Sequence, residues 1–391
     1  PFIGPPAFLP LWVVFAKLPF TVAAAVWGCI LIASAFAFAV ATLRAAAALS
    51  VGALLSTAIL LTGFGPFTSD VALGQCALLA FVACTGASMW IGHSRPAAIV
   101  AVLAAALQPN VAIALLSQGS RKRAWPVFAG ALAIFAILGM FFTGGNAAAY
   151  VRGLVEHGQA ERFALIQITP AAIAYGFGLG SFIAQIIGIL VALCAAAVGA
   201  GVVRMAHVKP LWKLAACCAL LPFAVPFFHE HDFVVLLLPA LLCVTVAEGR
   251  AWSVAAAGTL LCAIDWLGLA QRPEGLLQSA LLSLAALAAI FALVEVQPQR
   301  LIGAACVFVT LVIAGAIAGH MPAPIWPDAM TGSISLSGPA AHIWHRELAQ
   351  TGQFAINPFW ALLRSFTLAG AAALAWATIS TARRRDQLEM S

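Results

Sequence analysis

Charge is scarce in this 391-residue chain: 8% of its residues are charged, 63% are hydrophobic, and mean hydropathy is +1.04. A soluble domain carries about 25% charged residues. This chain has too few to cover a water-exposed surface, which excludes a soluble globular protein and any separate soluble domain. Its nine cysteines (29, 76, 84, 194, 217, 218, 243, 262 and 306) contain no C-x-x-C pair and all fall in apolar runs. Neither a metal cage nor a disulfide framework is indicated, and they read as small core residues. No repeat of fixed period is evident. Nor does the chain open on Met or a basic, signal-like segment; it enters a Pro-rich apolar stretch at Pro1, and at least one membrane span is expected upstream.

What is present is an all-α, polytopic membrane pattern. About 20 apolar residues cross the hydrocarbon. Spans are expected at 21–43, 45–63, 71–92, 96–117, 124–142, 180–203, 214–228, 233–247, 253–270, 276–296, 301–319 and 361–380, which makes about 11 to 12 membrane helices in one domain over residues 1–380. Residues 381–391 then form a basic tail.

The net charge of +6 is uneven, with cations gathered at Arg121-Lys122-Arg123, at Arg204, Lys209 and Lys213, and at Arg383-Arg384-Arg385. The positive-inside rule places these on the cytoplasmic side. Glu156, Glu161, Glu230, Asp232, Glu274, Asp328 and Glu347 then fall outside. One segment conflicts: a full crossing by 96–117 would put Arg121 outside. Its centre reads LQPNV, and Pro109 removes a helix hydrogen bond and disfavours helix at Gln108. Two half-helices meeting at Gln108-Pro109-Asn110 and returning to the cytoplasmic side remove the conflict. Non-helical backbone at that depth is tolerated only inside protein or beside water, so the break is expected to line a cavity. A kinked full crossing is the alternative.

The external loop 143–170 carries Tyr150, Arg152, Glu156, His157, Glu161, Arg162 and Gln167. Val151, Leu154, Val155, Phe163, Ala164 and Ile166 suggest that it holds a helix lying along the interface. A longer external loop, 320–360, is rich in Pro, Trp and His; long ordered loops are usually functional. The densest polar feature is FFHEHDFVVLLLPALL, residues 227–242, where His229-Glu230-His231-Asp232 sits between apolar runs. Charges beside a bilayer core are costly and mark functional sites. Asp265, an acid inside an apolar run, qualifies on the same ground, although its place near the rim also suits snorkelling.

Three stretches taken in order carry a family resemblance. They are FIGPPAFLPLWVVFAKLPFTVAAAVW (2–27); residues 73–116, with Gly74-Gln75 at one helix start and Gln108-Pro109 inside the next; and HEHDFVVLLLPALL. Together they resemble the GT-C glycosyltransferases, most closely family 87, the polyprenyl-phosphate-mannose-dependent mannosyltransferases of bacterial envelopes. The resemblance implies a GT-C-like bundle in the bacterial cytoplasmic membrane with its active site on the external side. It implies inverting transfer of a sugar, usually mannose or arabinose, from a polyprenyl-phosphate donor to a lipid or glycan acceptor. It also implies an Asp base in the first external loop, which lies ahead of Pro1. Members commonly have Lys-Pro at Gln108-Pro109 and Tyr-Asp at His231-Asp232, and this chain departs at both.

The residues fit that chemistry on their own terms. Inverting transfer needs a carboxylate to take the acceptor proton and groups that stabilise the leaving phosphate. His229 and His231 suit phosphate, and Asp232 suits orienting them or holding sugar hydroxyls. Arg152 and Arg162 are further phosphate candidates, with lipid headgroup contact as the alternative for each. Gln75 and Gln108 are candidate sugar ligands. Asp70 is either a site acid or a cap for the following helix. A divalent ion on His229, Glu230, His231 and Asp232 is conceivable chemistry, but adjacent residues rarely converge on one ion. No metal, cofactor or nucleic-acid partner is expected. The rival reading is a secondary transporter with its site at the Gln108-Pro109 break. Cysteines placed by Arg121→Cys and Arg384→Cys should be shielded from an impermeant thiol reagent in intact cells, and one placed by Met330→Cys should be labelled. Labelling at 121 would mean that 96–117 crosses fully.

Overall fold

A computed structural model describes residues 4–264, 266, 276–293, 298–318 and 340–390. Asp265, Glu274, Asp328 and most of the first half of loop 320–360 lie outside the described residues. The described residues contain α- and 3-10 helices and no strand.

Among the described residues, four helices are long and apolar enough to cross a membrane: α2 (Phe20–Ala45), α8 (Ala124–Phe142), α11 (Ser181–Arg204) and α18 (Pro358–Met390). Two of them, α8 and α11, turn their bulk outward, leaving Leu132, Ile137, Phe141, Phe182 and Leu193 exposed as a lipid-facing surface would. The other expected spans are shorter or broken. The stretch 45–92 divides into α3 (Val51–Thr62), α4 (Gly65–Leu73) and α5 (Ala77–Trp90), with a 70° bend between α3 and α4. Pro66 in the first turn of α4 pre-sets a helix start but cannot continue the preceding helix. The expected span 233–247 is a 3-10 helix, Glu230–Leu236, followed by α13 (Leu237–Val246), and nearly all of it is buried. These broken elements sit inside the bundle, where neighbouring protein can satisfy the backbone groups that lipid cannot. Helix α18 continues through the basic segment to Met390.

The break at Gln108 is present. Helix α6 (Arg95–Ala105), capped by the Ser94 hydroxyl, stops before Pro109. The chain resumes as α7 (Pro109–Ala112) and a 3-10 turn, Ile113–Gln118. Both ends of this hairpin lie together: the Arg121 guanidinium donates to Ser88 O at 2.7 Å and that of Arg123 to Gly92 O at 2.8 Å. The segment therefore leaves and returns to one end of the bundle, and α8 then carries the chain to the other end.

The loop 143–170 divides into two parts. Its first half is α9 (Ala147–Glu161), capped by Asn146, with Val151, Leu154 and Val155 exposed as expected of an interfacial helix. Its second half is not helical. Residues 163–169 run as an irregular and largely buried stretch before α10 (Pro170–Gly176). Fully buried Arg364 of α18 holds that stretch, donating to the carbonyls of Gln167 at 2.7 Å and of Ala164 and Ala172 at 3.4 Å. A Cβ on Gly176 would stand 2.7 Å from the guanidinium, so the position needs glycine for steric reasons.

Completing the core, α12 (Pro210–Ala224) and α14 (Gly249–Ala263) pack with α13 and α18, while α15 (Leu276–Ala292) and α16 (Pro298–Ala318) pack on α14 and on each other, α15 also against α3. Between α14 and α18 the backbones come close at Gly258 and Gly370; a Cβ on Gly258 would meet Gly370 O at 2.9 Å. Small residues permit this approach in membrane helix pairs. Arg364→Met should destabilise the protein by about 3 kcal/mol or more, because several buried carbonyls lose their donor. Arg364→Lys should rescue little, since an ammonium lacks the planar fork. Thermal unfolding in detergent measures both.

Candidate active site

Two carboxylates organise the end of the bundle opposite Arg121. The first is Glu161, buried at the last residue of α9. Its Oε2 accepts from Gln167 Nε2 at 2.9 Å and lies 3.2 Å from His229 Nε2. Its Oε1 accepts from the Trp344 indole, at the middle of α17 (Ala340–Gln350), and lies 3.4 Å from His157 Nε2. Gln167 is oriented by its own backbone-facing oxygen, which accepts from Phe228 N at 2.9 Å, while Ile168 N donates to Phe228 O at 2.8 Å. The loop held by Arg364 thus grips the strand of chain entering the polar cluster.

The second carboxylate is Asp232, with no solvent exposure. Its Oδ2 accepts from His229 N at 2.9 Å, closing a capping box at the start of the 3-10 helix. Its Oδ1 accepts from Gln108 Nε2 at 2.9 Å, and His231 Nε2 lies 3.9 Å from that same oxygen. The apex of the hairpin therefore touches the polar cluster directly. The His229 and His231 rings stand 5.3 Å apart.

Electrostatics separates the imidazoles. Burial alone would lower His229, but the hydrogen bond and charge of Glu161, with Asp232, outweigh it and raise the group above 6.5. Burial alone would raise Glu161; its bond to His229 and the charges of His229 and His157 prevail and hold it below 4.5. His157 is lowered by burial despite Glu161, and by the charge of His229. His231 is pushed down to about 4, mainly by burial, and is a neutral imidazole near pH 7. The two neighbouring imidazoles are therefore pushed in opposite directions, His229 toward the protonated form and His231 toward the neutral one, an arrangement suited to an anion and to exchanging hydrogen bonds.

The remaining sequence candidates are distributed as follows. Asp70 is in α4, not in a loop. It is fully buried, and its Oδ1 accepts from Leu78 N at 3.2 Å, so it caps α5 from eight residues upstream. It lies within electrostatic range of Asp232, and its Oδ2 has no partner among the described residues. Gln75 is half-buried in the turn between α4 and α5. Arg152 is exposed on α9 and Arg162 half-buried at its end; among the described residues neither contacts His229, His231 or Asp232. Helices α4 and α5 pack against the 3-10 helix, and Glu230, His231 and Asp232 are buried.

Sequence reasoning named His157, Glu161 and Gln167 only as residues of an external loop and did not single out Trp344 or Arg364, which also build the site around the cluster. Glu161 and Gln167 were visible as polar residues in an apolar loop, but no spacing tied them to His229, 68 and 62 residues away. A cavity of about 530 Å³ adjoins them, lined by Glu156, Gln159, His342, His345 and Arg346 of α9 and α17. His229, His231 and Asp232 offer three potential metal-ligand atoms within 4.8 Å of one another. However, Nε2 of His229 faces Glu161 and both Asp232 oxygens already accept hydrogen bonds.

The described residues form an all-α bundle consistent with a polytopic membrane protein, and they hold a buried carboxylate–imidazole cluster. The chain belongs to glycosyltransferase family 87, whose profile matches residues 2–228, and it is therefore a membrane glycosyltransferase. The match ends immediately before His229. No curated protein and no solved structure matches the chain.

The shifted groups make a pH test. Glu161, held low, stabilises the fold above about pH 4.5, and this is lost as pH falls through its folded value. His229, held high, stabilises it below 6.5, and this is lost as pH rises through its folded value. The stability gap between the parent and Glu161→Gln should be widest between these limits and should narrow on either side. Thermal midpoints across the pH range, with both proteins in the same detergent, measure it. A gap independent of pH would mean that Glu161 and His229 do not form an ion pair.

Proposed function

We propose that the protein transfers a sugar, mannose in the simplest reading, from a polyprenyl-phosphate donor to a lipid or glycan acceptor, with inversion. The reaction takes place at the external face of a bacterial cytoplasmic membrane. The observation that carries this reading is the convergence of Glu161, His229, His231, Asp232 and Gln108 at the end of the bundle opposite the basic clusters. A lipid-linked phosphate presents itself at that level without leaving the membrane.

In this reading His229, kept protonated by Glu161, faces the donor phosphate and stabilises the charge that develops as the anomeric C–O bond breaks. His231, neutral, donates or accepts a hydrogen bond at a phosphate or sugar oxygen. Asp232 fixes the backbone of His229 and the amide of Gln108, and together they hold sugar hydroxyls. The acceptor hydroxyl attacks from the opposite face and its proton passes to a carboxylate base. The cavity beside Glu156 and Arg346 is the route by which the acceptor reaches the site. Asp70, capping α5 beside Asp232, supports the site rather than touching substrate, and the exposed Arg152 serves lipid headgroups.

Full-length protein in detergent should consume a polyprenyl-phosphate sugar, where no gradient exists. Asp232→Asn and His231→Ala should each lower transfer by about 10²–10³-fold while leaving the protein folded and membrane-inserted. Activity within a few-fold of the parent in both variants would remove the cluster from the mechanism. The transporter reading, with its site at the hairpin apex, wins if the full-length protein neither binds nor turns over such a donor yet moves a solute across sealed vesicles.

A further inference from the structure

The opposite end of the bundle holds a second cavity, of about 290 Å³, where the base of the hairpin meets the end of α11 and the start of α12. Its lining includes Ser120, Arg121, Arg204, Pro210 and Lys213, three cations with no carboxylate among the described lining residues. Lys213 is 7% exposed, and its Nζ donates to Val203 O at 2.8 Å and to Ser120 Oγ at 3.2 Å. Arg121 is anchored by Ser88 O and by Gln118 Oε1 at 3.2 Å, and burial, then the charge of Arg123, lowers its pKa. Arg204 is exposed, as is Lys209 between the lining residues Val208 and Pro210, and Arg385 lies 5.4 Å over the Trp212 ring.

We propose that this cavity binds the phosphodiester of an anionic phospholipid headgroup. The chemistry fits: guanidinium forks and an ammonium placed around a small space match phosphate oxygens. The surroundings favour a lipid over a free ion. Arg204 ends α11, whose outer face leaves Leu190, Leu193 and Val198 exposed, so acyl chains can lie along the helix while the phosphate enters the cavity. On the orientation expected from the charges this is the cytoplasmic side, whose leaflet carries anionic lipid. The bound phosphate would bridge Arg121 at the foot of the hairpin to Arg204 and Lys213. It would thereby steady the element whose apex places Gln108 on Asp232. The inference does not depend on which sugar or donor the enzyme uses.

The test uses full-length protein in nanodiscs of phosphatidylcholine, alone or mixed with phosphatidylglycerol. Phosphatidylglycerol should raise the unfolding midpoint by several degrees, and native mass spectrometry should show it retained in preference to phosphatidylcholine. Arg204→Met, an exposed position that the fold tolerates, should abolish both effects, as should Lys213→Met if that variant folds. Lys122→Met, outside the cavity, should keep them. Equal midpoints in the two lipids would overturn the proposal, as would loss of the effect in Lys122→Met as complete as in Arg204→Met. An equal shift on adding inorganic phosphate to phosphatidylcholine discs would overturn the lipid as its source.

Discussion

The contact between Glu161 and His229 is the interaction on which the rest of the site depends. It joins positions 68 residues apart, at 3.2 Å, and draws in Gln167, His157 and Trp344 around one carboxylate. A buried carboxylate is stable only with charge and hydrogen bonds supplied to it. Glu161 receives both from four side chains, one on its own helix and three on other segments. The same demand holds the site in place, since moving any of those segments leaves the acid uncompensated.

Around this pair the protein uses irregular backbone where a soluble enzyme would use surface loops. The stretch 163–169, the apex at Gln108 and the 3-10 helix Glu230–Leu236 all lie inside the bundle, and each finds donors or acceptors from protein. Arg364 supplies donors to the first, Asp232 accepts from the second, and Gln167 accepts from the chain leading into the third. The long helices α8 and α11 face outward, and the broken elements hold the polar cluster within. Function and lipid contact are thereby divided between two kinds of segment.

Much of this was legible in the residues themselves. The span 124–142 is helix α8 to the residue, and 180–203 is α11 within one residue at each end, because an uninterrupted apolar run of membrane length has one stable conformation in lipid. The hairpin at Gln108 was legible from two independent signals, a mid-span proline and a misplaced basic cluster. The cluster His229 to Asp232 stood out because charge beside apolar runs is rare in this chain. Less legible were the bend at Gly63-Phe64, the buried course of Phe163 to Thr169, and the burial of the polar cluster itself. In each case the local residues resemble those of an ordinary span or surface turn.

The residues alone determined that this is a helical membrane protein, which ends carry positive charge, where one helix must break, and which family it belongs to. These follow from transfer free energy and backbone hydrogen bonding, which act on neighbouring residues and leave a pattern along the chain. Tertiary structure alone decided that Glu161 holds His229, that Gln108 reaches Asp232, that Asp70 caps a helix from within another, and that Arg364 carries a loop. Those pairings join segments up to about 200 residues apart. They exist because a bundle interior must satisfy each polar group with whatever side chain the packing brings near, and that choice leaves no periodicity to read.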